Sequence, residues 1–204
     1  MITLHHLRIG RSLFTVWLLE EVGCDYQLKV YHRDPVTMRA QADLKAIHPL
    51  GKSPVIEDGD LMLSESGAIT AYILEKFDTE HRLQPARSDL ANWAIYHQWL
   101  TYPEGSVFAP LLLKMLTLRS SDHELITPFA DSEINLHFDH IASQLGDNDY
   151  ILGSNFSGAD FAIAYVVSMA ERLGQLGAYP SLHSYMQRCM ARPAFVRAVE
   201  RAVE

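Results

Sequence analysis

A chain of 204 residues with 48% hydrophobic and 21% charged side chains has an ordinary globular composition and can bury a real core, as one domain or two small ones. The net charge of −8, with no Lys/Arg cluster, excludes a nucleic-acid partner, because phosphate binding needs a basic face. Two widely separated cysteines, Cys24 and Cys189, exclude a disulfide scaffold and suit a reducing cytoplasm. The opening MITLHHLRIGR has no apolar signal segment, and the apolar run over residues 161–170 is too short to span a bilayer. A cytoplasmic protein with no membrane partner is the expectation.

Residues 2–7 (ITLHHL) read as a short strand, and residues 11–22 as a helix that is apolar on most sides. Gly23 ends it, a residue favoured just past a helix. Residues 26–32 alternate well enough for a second strand, and a weaker helix covers about 38–47. Val55-Ile56 and Leu61-Met62-Leu63 flank Asp58-Gly59, a strong hairpin signal. Residues 66–77 are helical again. The order β-α-β-α-β-β-α predicts a sheet that begins with a βαβ unit and is closed by an antiparallel hairpin. Residues 78–87 turn polar around Pro85 and read as a linker. Beyond it every segment has helical length and spacing, over residues 93–100, 111–118 and 132–145. The expected division is an α/β domain, 1–78, and an all-helical domain, 88–204.

The sharpest helix start is Phe156-Ser157-Gly158-Ala159-Asp160-Phe161. Ser157 and Asp160 have the spacing of a capping box, and Phe156 and Phe161 that of a hydrophobic staple. Asp160 is a buried-looking carboxylate at a helix N-terminus, where the dipole favours it. A catalytic role is conceivable, but a carboxylate occupied by a box is a folding cap.

An α/β half with Pro54-Val55-Ile56 and Glu65-Ser66-Gly67-Ala68-Ile69, followed by FSGAD in a helical half, resembles a cytosolic glutathione transferase. The opening HHLRIGRSLFTVWLLEEVG and the later RPAFVRA are most similar to the bacterial and fungal branch, and the likeness runs along essentially the whole chain. It implies a thioredoxin-like N-terminal domain, an all-α C-terminal domain lining the acceptor site, and glutathione held between them. It also implies a homodimer acting in detoxification, with glutathione as co-substrate and no further cofactor. In that family the proline is cis, so Pro54 turns the chain and Ser53 offers its N–H and C=O to the cysteinyl residue of glutathione, like a short added strand. Glu65 accepts from the ligand's α-ammonium group. Ser66 and the N–H groups of the helix it opens hold the γ-glutamyl carboxylate, and Lys52 meets the glycine carboxylate. Read singly, Lys52 is equally a solvated lysine and Ser66 an N-cap.

The same resemblance implies a thiolate held at the start of the first helix, because the thiolate is the nucleophile. Lowering a thiol from about 8.5 by roughly two units takes about 2.7 kcal/mol. Relatives of this branch read like Ser-Arg-x-x-Arg there; this chain has Gly10-Arg11-Ser12-Leu13-Phe14. Gly10 replaces the expected serine and leaves helix N–H groups unshielded. Arg11 and Ser12 become the candidate thiolate stabilisers, against a reading as surface charge and N-cap, and Gly10→Ser is expected to raise the rate. Tyr102 and Phe108, in a stripe with Trp93, Trp99 and Met115, are candidates for lining the acceptor pocket; such stripes are also ordinary core. His137 and His140 share a helix face without a third ligand, so no metal is expected. Cys24 reads as a small buried residue, and His5 and His6 as core or edge histidines.

The implied reaction is attack of the glutathione thiolate on a small hydrophobic electrophile, or peroxide reduction. The alternative is a non-catalytic glutathione-binding or scaffolding module, which Gly10 favours. No cysteine lies near residues 8–14, which argues against a protein-thiol disulfide reductase.

Overall fold

The structure is a computed structural model that describes residues 1–119 and 124–203. Among these, contacts divide the chain into two compact units, one of residues 1–80 with 191–204 and one of residues 81–190.

The first unit opens with β1 (Ile2–Leu7), α1 (Ser12–Val22) and β2 (Tyr26–Tyr31), followed by α2 (Ala42–Ile47), β3 (Val55–Asp58), β4 (Leu61–Ser64) and α3 (Ser66–Phe77). The sheet order is β2-β1-β3-β4. β1 runs parallel to β2 and antiparallel to β3, and β3 pairs antiparallel with β4. A parallel neighbour needs a crossover, which α1 supplies. Interior β1 is buried almost throughout, and Val16, Trp17, Leu18 and Leu19 of α1 are fully buried, as a helix apolar on most sides must be. Gly23 closes α1 at φ 69, its N–H donating to Leu19 C=O. Asp58 pairs with Leu61 across a two-residue turn in which Gly59 has φ 62, a conformation glycine adopts without cost.

The helix expected over residues 38–47 is shorter. Asp34 accepts from the N–H groups of Val36 and Thr37 and from the Thr37 hydroxyl, which folds residues 34–40 into a loop before α2 begins. This is the local competition by which Asp favours turns over helix.

The last helix, α9 (Pro193–Ala202), departs from the expected boundary at 88–204, because it groups with the α/β unit. Phe195 sets its ring edge-on to Trp17 of α1 at 5.1 Å and beside Phe14 at 6.2 Å. Arg192 pairs with Glu21, while Arg197 and Arg201 pair with Glu20. Arg201 also lies 3.9 Å over the Tyr26 ring.

The second unit holds α4 (Leu90–Tyr102), a π-helical turn (Pro103–Val107), α5 (Phe108–Thr117), α6 (Ile126–Leu145), α7 (Gly158–Arg172) and α8 (Pro180–Met190). α4 and α5 run on through the π turn, in which Phe108 N–H donates to Pro103 C=O. α6 begins six residues before the expected 132, because Pro128 is accommodated in a first helical turn. The box before α7 forms: the Asp160 carboxylate accepts from the Ser157 N–H at 2.8 Å and the Ser157 hydroxyl at 2.9 Å. It also accepts from Ile151 N–H at 2.9 Å and Tyr185 O–H at 2.8 Å. Phe156 and Phe161 meet edge-to-face at 5.0 Å, completing the staple. Burial nonetheless raises the Asp160 pKa. With four donors on it, this carboxylate is a structural cap.

Candidate functional site

Strand register brings three pieces of chain to one end of the sheet. The β1–β3 ladder ends at His5↔Val55, and Val55 pairs on its other side with Ser64. Residues 53 and 54 therefore emerge beside residues 65 and 66, next to the segment leaving β1. The Ser53–Pro54 bond is cis. The Ser53 hydroxyl is tied to β1, donating to His5 C=O at 2.7 Å and accepting from Leu7 N–H at 3.0 Å. Its main chain lies beyond the last rung of the sheet. Before it, His48 to Gly51 form a turn closed by Gly51 N–H to His48 C=O, with Gly51 at φ 56. A Cβ on Gly51 would stand 2.7 Å from the Lys45 side chain. Lys52, exposed, follows directly.

Glu65 has φ 73 and ψ 119, an energetically costly conformation for a non-glycine residue, and its C=O accepts from Ile69 N–H at 2.9 Å. Strain of this kind clusters at functional sites. Ser66 is the first helical residue of α3 and not its N-cap, and the N-cap residue, Glu65, makes no side-chain capping bond. The first N–H groups of a helix lack intrahelical partners, and their partial positive charge suits an anion.

At the start of α1, Arg11 occupies the N-cap position without a side-chain cap bond and Ser12 is the first helical residue, fully buried. The Ser12 hydroxyl donates to Leu7 C=O at 3.2 Å and lies 2.9 Å from His6 Nδ1, so a protonated Nδ1 donates to it. Ser12 is thus turned inward beneath the loop, where its hydroxyl is already engaged. Gly10 has a positive reason to be glycine: a Cβ there would lie 3.0 Å from an Arg33 guanidinium nitrogen. That guanidinium donates to the C=O groups of Arg8, Ile9 and Met38. Ile9 has φ 59, unusual for a β-branched residue. Nothing local in the sequence marks Arg33, which lies two residues past β2 and meets Gly10 only through the fold.

Tyr102 and Phe108 stand at the two ends of the π turn in the helical unit. Tyr102 Oη lies 2.6 Å from His137 Nδ1, and Phe108 stacks on Tyr165 at 6.1 Å. His140 stacks on Trp99 at 5.2 Å. Burial lowers the His137 pKa, with opposition from Glu133. Among the described residues no group of three or more His, Cys, Asp or Glu side chains has a metal-binding arrangement. Cys24 is partly buried and burial raises its pKa, the opposite of thiolate activation. No helix of the described residues is long and apolar enough to cross a membrane.

Comparison with known proteins agrees with this fold. The family described as glutathione S-transferase, N-terminal domain, matches residues 1–75, and glutathione S-transferase, C-terminal domain, matches residues 126–193. The chain is 27% identical to glutathione S-transferase 1 of Saccharomyces cerevisiae, over 99% of this chain and 95% of the relative. It is 30% identical to a glutathione S-transferase of Hyoscyamus muticus, over 89% of each. The crystal structure of a glutathione S-transferase from Actinobacillus pleuropneumoniae is similar with a TM-score of 0.91 and 35% identity, covering 100% of this chain and 93% of that one. Both domain families occur in order, the identity extends over nearly the full length of these relatives, and the fold agrees throughout: the chain belongs to the glutathione S-transferase family.

Proposed function

We propose that this chain is a glutathione transferase that binds glutathione at the end of its sheet and directs the thiolate at small hydrophobic electrophiles or peroxides. The supporting observation is the convergence there of three features: the Ser53 main chain beyond the last rung, the strained Glu65 before α3, and the start of α1. In this reading the Ser53 N–H and C=O take the cysteinyl backbone, and Lys52 meets the glycine carboxylate. Glu65 accepts from the α-ammonium group, and Ser66 with the α3 N–H groups holds the γ-glutamyl carboxylate. Arg11 and the Ser12 N–H at the start of α1 stabilise the thiolate, since the Leu13 and Phe14 N–H groups already donate to Gly10 and Arg11 C=O. The Ser12 hydroxyl acts through the turn it anchors. Tyr102 and Phe108 serve the acceptor, and the working form is a homodimer.

The test is calorimetry with glutathione, followed by a panel of electrophiles and peroxides. Ser66→Ala and Glu65→Gln should each weaken glutathione binding by about 1–3 kcal/mol, the cost of losing a charge-assisted partner. Conjugation should be modest and rise through neutral to alkaline pH. Unchanged affinity in both variants removes these residues from the site. Saturable binding without turnover on any member of the panel would favour the binding module.

A further inference from the structure

We propose that Arg33 is a positioning residue that sets the thiolate-activating loop. Resting on the transferase reading above, this assigns to it the shape of residues 8–10, and through that shape the aim of the loop N–H groups that lead into α1. The guanidinium donates three ways: Nε to Arg8 C=O at 3.0 Å, Nη2 to Ile9 C=O at 2.7 Å and Nη1 to Met38 C=O at 2.9 Å. Two of these acceptors are consecutive carbonyls of the loop between β1 and α1. A trans peptide places the N–H of each following residue opposite the carbonyl. Fixing the Arg8 and Ile9 carbonyls on Arg33 therefore directs the N–H groups of Ile9 and Gly10 to the other side of the loop. Successive N–H groups around a left-handed residue make an anion-binding concavity, and Ile9 is that residue, at φ 59.

A β-branched residue does not hold this conformation unaided. The bond from Arg33 to its carbonyl supplies the restraint. Three further features make the arrangement specific. The Arg8 N–H donates to Tyr31 C=O at 3.1 Å, so the loop leaves the sheet beside the stretch that carries Arg33. Gly10 is where a Cβ would press on the guanidinium at 3.0 Å. The third acceptor, Met38, has φ 57 and belongs to the loop closed by Asp34 N–H to Arg39 C=O, so one side chain ties two loops together. Only a planar fork of donors reaches three carbonyls in this geometry; a lysine ammonium is a point donor.

The experiment compares wild type with Arg33→Lys, which keeps the charge, and Arg33→Met, which keeps only bulk. Arg8, Arg11, Lys52 and Glu65 stay constant, as do His6 against Ser12 and Asp34 and Arg39 of the loop that Arg33 ties. The readouts are glutathione affinity, the ultraviolet titration of the bound thiolate, and kcat against pH. Both variants should bind glutathione within about threefold of wild type. Both should titrate the bound thiol about one unit higher, with kcat at neutral pH down about tenfold and recovering at alkaline pH. A lysine variant indistinguishable from wild type would mean that charge and not geometry acts, and would overturn the proposal. So would loss of affinity or stability with the thiol titration unmoved, which is a merely structural role. If Arg33→Met does not fold, Arg33→Lys decides. Failure of the transferase reading shows separately, as wild-type protein that binds no glutathione, and the inference falls with it.

Discussion

Gly10 shows how one residue carries two different messages. Read along the chain it is a missing hydroxyl, and restoring serine looks like a gain. In the structure it is the space into which Arg33 fits. The guanidinium is held by three carbonyls, so the small retreat that a Cβ at 3.0 Å demands strains those bonds. Gly10→Ser and Gly10→Ala should therefore both destabilise the protein, by about 1–3 kcal/mol as overpacking does, and neither should raise the rate at neutral pH. Urea titration of the two variants beside an assay at pH 7 checks this; a stable, faster Gly10→Ser would restore the simple reading of the missing serine. Ser12 teaches the complementary lesson. Its position suggests a donor to the ligand, yet its hydroxyl faces Leu7 C=O and His6, and only the fold reveals which way it points.

Among the elements, α1 and α9 form the pair on which the proposed site leans, because α1 begins at the loop proposed to hold the thiolate. Their interface has an aromatic part, Phe195 against Trp17 and Phe14, and an ionic part, three arginines on Glu20 and Glu21. Desolvation decides between them: the Glu20 and Glu21 carboxylates are largely buried, so the cost of desolvating them offsets much of what their pairs gain. The arginines on Glu20 are themselves half-exposed and add little each, whereas truncating a packed phenylalanine costs several kcal/mol. Phe195→Ala should cost about 2–4 kcal/mol and Arg201→Ala less than about 1 kcal/mol, measured by chemical denaturation. The reverse ranking would show that the arginine cluster holds the helix. Local signals made α1, the β3–β4 hairpin, α3 and the start of α7 legible, since caps, turns and periodicity act over a few residues. They failed at α2, where the Asp34 side chain competes for backbone donors, and at the start of α6, where Pro128 masks a first turn.

At the scale of the molecule, the first unit buries His5 and His6, and the second half-buries His137. His5 lies between the Tyr31 hydroxyl at 2.8 Å and Glu57 at 3.0 Å, and the neutral ring satisfies both with one donor and one acceptor. Burial lowers the pKa of His5, more than Glu57 raises it, and burial lowers that of His137 from the ordinary 6.5. A depressed histidine pKa means that the unfolded chain binds the extra proton more readily, so stability rises with pH. The contribution is complete above about 6.5 and is lost progressively below it. Asp160, raised by burial, acts in the opposite sense. Urea midpoints measured from pH 7.5 down to 5.5 should fall, and fall less steeply in His5→Asn than in wild type. Identical slopes would clear His5 of any part in acid destabilisation.

The sequence by itself determined the two-part architecture, the sheet's strands, the box of Ser157 and Asp160, and the motif around Pro54 and Glu65-Ser66 that carries the family likeness. These are contained in windows of a few residues, where backbone preference and side-chain capping act directly. Tertiary structure alone decided the rest. Ser53 reaches the β1 backbone across 48 positions, and Arg192 reaches Glu21 across 171. Arg33 closes on residues 8 and 9 only because β1 and β2 run side by side. A contact between distant positions depends on strand register and on how each backbone is turned, and neither leaves a mark in the local order of residues.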